Sequence, residues 1–190
     1  MKPSSAIAAL VACVAPAAPA IAHDFWIEAS PFQSPVGGLI RVSLHQGDVF
    51  LDEAVPRDAS KIESFQMIGP DGAHPVMGRS GNLTSVARPE QPGLHVVAYH
   101  SGRMRSELPA EKFEQYLREK GLSQIAKLRA SRKQADQPGR EVYSRCAKAL
   151  LRAGDGAAPD GDRALGLPLE IVAEVSKRKH RTKSKIGTRS

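Results

Sequence analysis

The sequence predicts a mainly β protein, an antiparallel β-sandwich carrying an inserted helical pair at about 109–132, and three observations predict it. Short apolar runs with the period-two alternation of half-buried strands recur along the chain, with glycine and proline turn signals between them. Helical spacing appears in one region only, after Glu107. No internal repeat divides the sequence, and about 168 residues past the N-terminal apolar run suffice for one domain with a proper core.

Taken in order, Phe25, Trp26 and Ile27 are strand formers ended by Pro31, which gives a first strand over Asp24 to Ala29. After Gly37-Gly38, Ile40, Val42 and Leu44 alternate with Arg41, Ser43 and His45, so His45 belongs on a polar face. Gly47 to Ser60 holds acids and a proline without periodicity and is expected to be a surface loop; its Asp48, Asp52 and Glu53 fit a solvated acidic loop. Lys61 to Ile68 is the next strand, and Pro70-Asp71-Gly72 is a turn that folds it onto Ala73 to Met77. Leu83 to Val86 follows.

Leu94-His95-Val96-Val97-Ala98-Tyr99-His100 is continuous, apolar and β-branched, as a central strand should be. Its alternation puts His95 with Val97 and Tyr99, and His100 on the opposite face, so the two histidines cannot serve one site. Pro109 then opens a helix with Glu111 in its first turn, a Phe113, Tyr116, Leu117 stripe and Gly121 at its end. Leu122, Ile125 and Leu128 mark a second helix, which dissolves before Pro138-Gly139. Glu141 to Arg152 fits a helix by propensity and a strand by alternation, and the residues leave that open. Leu165 to Ala173 is expected to form a last strand at an edge, because Pro168 cannot donate to a ladder.

Residues 1–22 carry one lysine, an apolar run and no acid, the pattern of a secretion signal too short to span a bilayer. Ala20-Ile21-Ala22 is a cleavage triplet, and a cut behind Ala22 makes His23 the first residue of the exported chain. Such a residue offers a metal two nitrogens, its α-amine and its imidazole, with pKa values of ~8 and ~6.5 that leave both able to bind near neutral pH. Nitrogen donors of this kind suit Ni(II) and Cu(II). The related motif with histidine third is excluded, since that position is Phe25. The bland alternative is an exposed, flexible terminus. A competing cut at Leu10-Val11-Ala12-Cys13 would give a lipoprotein with His23 internal, and no amine chelate.

Among the other histidines, His95 is the further ligand to expect if the first strand pairs near it, against a core histidine bonded to a backbone carbonyl. His45, His74 and His100 have weaker claims. No zinc-finger or zinc-protease spacing, glycine-rich phosphate loop or Gly-x-Ser-x-Gly elbow is present. Cys13 falls in the signal, so Cys146 is the one mature cysteine, read as a free structural thiol.

The net charge of +7 is a property of the C-terminus: Lys177 to Ser190 hold seven Lys or Arg and no acid, and the body is near neutral. Residues 176–190 therefore read as a disordered basic tail. It invites a nucleic-acid or anionic-lipid partner, a solvated end, or a lost natural continuation.

Five blocks in order resemble a secreted bacterial family, long described as a domain of unknown function, that includes periplasmic components of nickel and cobalt uptake systems. They are Ala22-His23-Asp24-Phe25-Trp26-Ile27, Pro92 to Tyr99, Leu108 to Phe113 with Tyr116-Leu117, Tyr143 to Leu150, and Leu165-Gly166-Leu167-Pro168-Leu169-Glu170. The resemblance implies a β-sandwich, immunoglobulin-like or prealbumin-like, over residues 23–175, and a strand at Tyr143 to Leu151. It implies a periplasmic protein, not an enzyme, that binds Ni or Co through His23, with His95 as a further candidate, and passes the metal to a membrane transporter. Relatives continue past the last block into another β domain, which favours a lost continuation over a nucleic-acid role for the tail. Two other classes remain: a copper-brace oxidase acting on a polymer, for which 5% aromatic residues provide little flat surface, and a metal-free adhesion or carbohydrate-binding sandwich.

Overall fold

The computed structural model describes residues 24–48, 51–155 and 161–173. In chain order the strands of the first half are β1 (Asp24–Ser30), β2 (Gln33–Ser34), β3 (Ile40–Asp48), β4 (Leu51–Val55), β5 (Ile62–Gly69), β6 (Gly72–Pro75) and β7 (Thr84–Ala87). The second half has β8 (Gly93–Ser101), β9 (Met104–Leu108), helices α1 (Ala110–Glu119) and α2 (Ser123–Ser131), then β10 (Gly139–Tyr143) and β11 (Cys146–Ala153). One sheet centres on β3, which pairs with β1 on one edge and with β4 and β7 in succession on the other. The facing sheet runs β2-β11-β8-β5-β6.

The sandwich follows from alternation. Ile27 and Ala29 of β1, with Ile40, Val42 and Leu44 of β3, turn one way and meet Phe65 and Met67 of β5, Val97 and Tyr99 of β8, and Ala149 and Leu151 of β11. Removing these side chains from water is the main favourable term for the two-sheet packing. The expected inserted helical pair is present. The antiparallel β9–β10 ribbon lifts it off the end of β8 and returns the chain to β11. Phe113 and Leu117 of the expected stripe are its buried residues. Helix α1 ends in a Schellman motif, with Leu122 N–H donating to the Leu117 carbonyl at 2.8 Å, Gly121 N–H donating to Arg118 at 3.2 Å, and Gly121 at φ +69°.

Several boundaries differ from expectation. The loop expected over Gly47 to Ser60 contains β4: Leu51 to Val55 pairs with Leu44 to Asp48, and an edge strand held by its ladder needs no strong apolar alternation. The open segment at Glu141 to Arg152 is two strands, β10 and β11, not a helix. Leu165 to Ala173 is not a strand. Gly166 takes φ +80°, and the Leu165 and Gly166 N–H groups donate to the Glu170 carboxylate instead of to a ladder. The expected signal, His23 and the basic tail lie outside the described residues. No helix among the described residues is long and apolar enough to cross a membrane.

Candidate functional site

Asp24, the first described residue, pairs with Gly47, and β1 stays in register with β3 through Ser30. Alternation then splits two aromatic neighbours. Phe25 turns inward, 5.2 Å from the Tyr99 ring, whereas Trp26 turns outward and stacks on its cross-strand partner His45 at 5.7 Å and 19°. Glu28, next on that face, stands 3.5 Å from His45 Nε2. His45 thus lies on the outer face, as its alternation requires, but it is buried instead of solvated, because the indole covers the imidazole.

Arg145 closes this end of the sandwich. Its guanidinium lies 5.1 Å from the Phe25 ring and donates to Gln46 Oε1 at 3.2 Å, so it ties β1 to β3. Its backbone is fixed to Ser101 in both directions, at 2.9 and 2.8 Å. Arg145→Ala is expected to cost about 2–4 kcal/mol, the loss of the cation–π contact on Phe25 plus one charged hydrogen bond. Hydrogen exchange at the β1 amides should register the loosening; unchanged exchange there would contradict this role.

A cavity of about 390 Å³ opens beside the start of β1, lined by Phe25, Trp26, Cys146, Lys148, Leu167 and Ile171 among others. Cys146 is a free thiol, as expected, but half-buried on this wall and not in the core. Residues 161–173 form the cavity's far side and are held by Lys148, whose side chain is 8% exposed. Its ammonium meets Asp162 at 2.8 Å and Glu170 at 3.5 Å, and donates to the carbonyls of Arg163 at 2.8 Å and Ile171 at 3.3 Å. Burial works to raise the Asp162 carboxyl, but the Lys148 ammonium and the N–H groups of Ala173 and Arg163 outweigh it and hold the group below the usual carboxylate range. Glu170 is lowered too, first by the Leu165 N–H.

The two histidines of β8 face opposite ways, as the alternation requires. His95 is fully buried, and His100, beside Cys146 on β11, has its Nδ1 3.8 Å from Glu63. His95 lies away from the start of β1: that strand pairs with β3, and its Phe25 meets β8 at Tyr99, four residues or about 13 Å along the strand from His95. Close to His95 are instead Gly69, Asp71 and His74 of the β5–β6 turn. Burial lowers the His95 imidazole pKa, against the opposing pull of the Gly93 carbonyl and Asp71. Among the described residues no group of three His, Cys, Asp or Glu is placed to hold a metal ion. The chelate expected at His23 lies outside them.

Sequence reasoning missed the Trp26, Glu28 and His45 cluster and the Lys148 network. The first was signalled only by the shared parity of Trp26 and Glu28 in a loosely alternating run. The second joins residues 14 to 22 positions apart across a loop, which no local pattern marks.

No curated protein and no solved structure matches the chain. The model of a family described as a domain of unknown function (DUF4198) matches residues 20–182. With nearly the whole chain covered in this way, the protein belongs to the DUF4198 family.

Proposed function

We propose that the exported protein binds a divalent transition metal, Ni(II) or Co(II), through the α-amine and imidazole of His23, and passes it to a membrane transporter as an accessory component of metal uptake. It is a periplasmic binding protein and not an enzyme. The observation that carries this reading is the register of β1. Asp24 is already paired with Gly47, so His23 is one peptide bond from a residue fixed in a sheet, with no linker between. A chelating residue attached to a rigid strand loses less freedom on binding than one on a free end. The Arg145 clamp on Phe25 and Gln46 adds to that rigidity. The five ordered blocks that resemble nickel and cobalt uptake components supply the choice of metal.

Everything depends on processing. Mass analysis of the exported protein should find a chain starting at His23 with a free amine. A lipid-modified Cys13, or a start elsewhere, would leave no amine on His23 and end this reading.

A further inference from the structure

Ala147, Ala149 and Leu151 of β11 turn into the core, so Cys146, Lys148 and Leu150 turn away from it. On the side away from β8, β2 pairs with β11 only at Arg152 and Ala153, so no described strand flanks Cys146 to Leu151 there. Residues 161–173 pass over this face without forming a ladder, tied to Lys148. Between that segment and the start of β1 lies the cavity of about 390 Å³.

Its walls are apolar and are fixed from both sides. Phe25 and Trp26 are held by the ladder of β1 with β3. Leu167, Leu169 and Ile171 come from the locked segment, and the last two stand 77% and 86% exposed instead of closing onto the opposite wall. The charged groups of the lining satisfy one another and the backbone. Lys148 meets Asp162 and Glu170, Glu170 accepts from Leu165 and Gly166 N–H, and Asp162 accepts from Ala173 N–H at 2.9 Å. An ion entering here would give up its water without meeting an unopposed charge. The volume falls at the lower end of the range of about 300–1,000 Å³ found for small-molecule sites.

We propose that this cleft binds a small uncharged organic molecule with a flat apolar body, held between the Phe25 and Trp26 rings and the aliphatic side chains of 167–171, over Leu150. Aromatic walls favour a flat partner, and Leu169 and Ile171 are placed to cover its outer side. The site uses none of the donors assigned to the metal, and it stands whether or not His23 binds one.

The chain has one tryptophan and, past residue 22, one cysteine, and both line this cavity, so occupancy is read at two known places. Titration of the exported chain with the uncharged fluorophore N-phenylnaphthylamine is expected to saturate at one equivalent. It should quench Trp26 by energy transfer and slow alkylation of Cys146 by iodoacetamide in proportion to occupancy. Leu167→Asp and Ile171→Asp put a charge on a wall that belongs to no strand, and each should weaken the probe by roughly tenfold or more. Anilinonaphthalene sulfonate, an anion with similar rings, should bind more weakly than the uncharged probe by a similar factor. Binding that does not saturate, that leaves Trp26 and Cys146 unaffected, or that is equally tight in both variants would overturn the site. Equal affinity for the anion would overturn its restriction to uncharged molecules.

Discussion

Replacing Lys148 with alanine is expected to release residues 161–173 from the sandwich and to destabilise the protein by about 3 kcal/mol. Breaking a buried ion pair costs about 3–5 kcal/mol, because the partner is left charged and out of water. Asp162 is that partner here, its side chain 4% exposed and bonded to the ammonium at 2.8 Å. The lower end of the range applies, since the segment belongs to no strand and can lift away to hydrate its carboxylates. Limited proteolysis should cut the variant within 161–173 under conditions that leave the native protein whole, and resistance equal to that of the native protein would contradict the lock. The same network predicts acid release. The Asp162 and Glu170 carboxyls are held below their ordinary values of 3.8 and 4.5, so their stabilisation is complete above those values and is lost as the pH falls through the lower folded ones. Protection of the segment should therefore be constant from neutral pH to about 5, decline as the pH falls past 4.5 and 3.8, and be lost once it passes the lower folded values.

Gly139→Ala is expected to unfold the helical pair and to leave the sandwich intact. A methyl group at Gly139 would overlap the Phe113 ring itself, which has no free direction to move. That ring is buried between the Tyr116 ring and the Arg129 guanidinium, 4.8 Å from its centre. Arg129 in turn bonds Glu114 at 2.8 Å and the carbonyls of Gln134 and Gln137. Displacing Phe113 thus disturbs the join between α1, α2 and β10 together. Overpacking of this kind costs about 1–3 kcal/mol, and contact with ring atoms places it near the top of that range. The helices pack chiefly on each other and on β10, so the damage stays local. Hydrogen exchange in α1 should accelerate by roughly a hundredfold while β8 amides stay protected. Equal acceleration in both would show that helices and sheets unfold as one unit.

Much of the fold was legible because it rests on local alternation. Ile40, Val42 and Leu44 face inward as their spacing requires, and His95 and His100 part to opposite faces of β8. The helical pair was legible from its stripe, its opening proline and Gly121. What was hidden depends on partners distant in sequence. The strand β4 is defined by pairing with β3, and the segment at 165–173 by the lysine of another strand. The site was legible only in its chemistry. That His23 could chelate follows from its position behind a cleavage triplet; that His95 belongs near Asp71 and His74 follows from the register of β8 on β5, which puts a glycine beside its ring.

The measurement that bears most directly on the proposed function is a Ni(II) titration of the exported chain against the same chain with one alanine before His23. The account predicts one equivalent bound by the first and an affinity lower by roughly tenfold or more in the second. Binding by the first should also weaken below about pH 6.5, as protons compete for the imidazole. Equal affinity in the two forms would contradict it, since the α-amine would then contribute nothing.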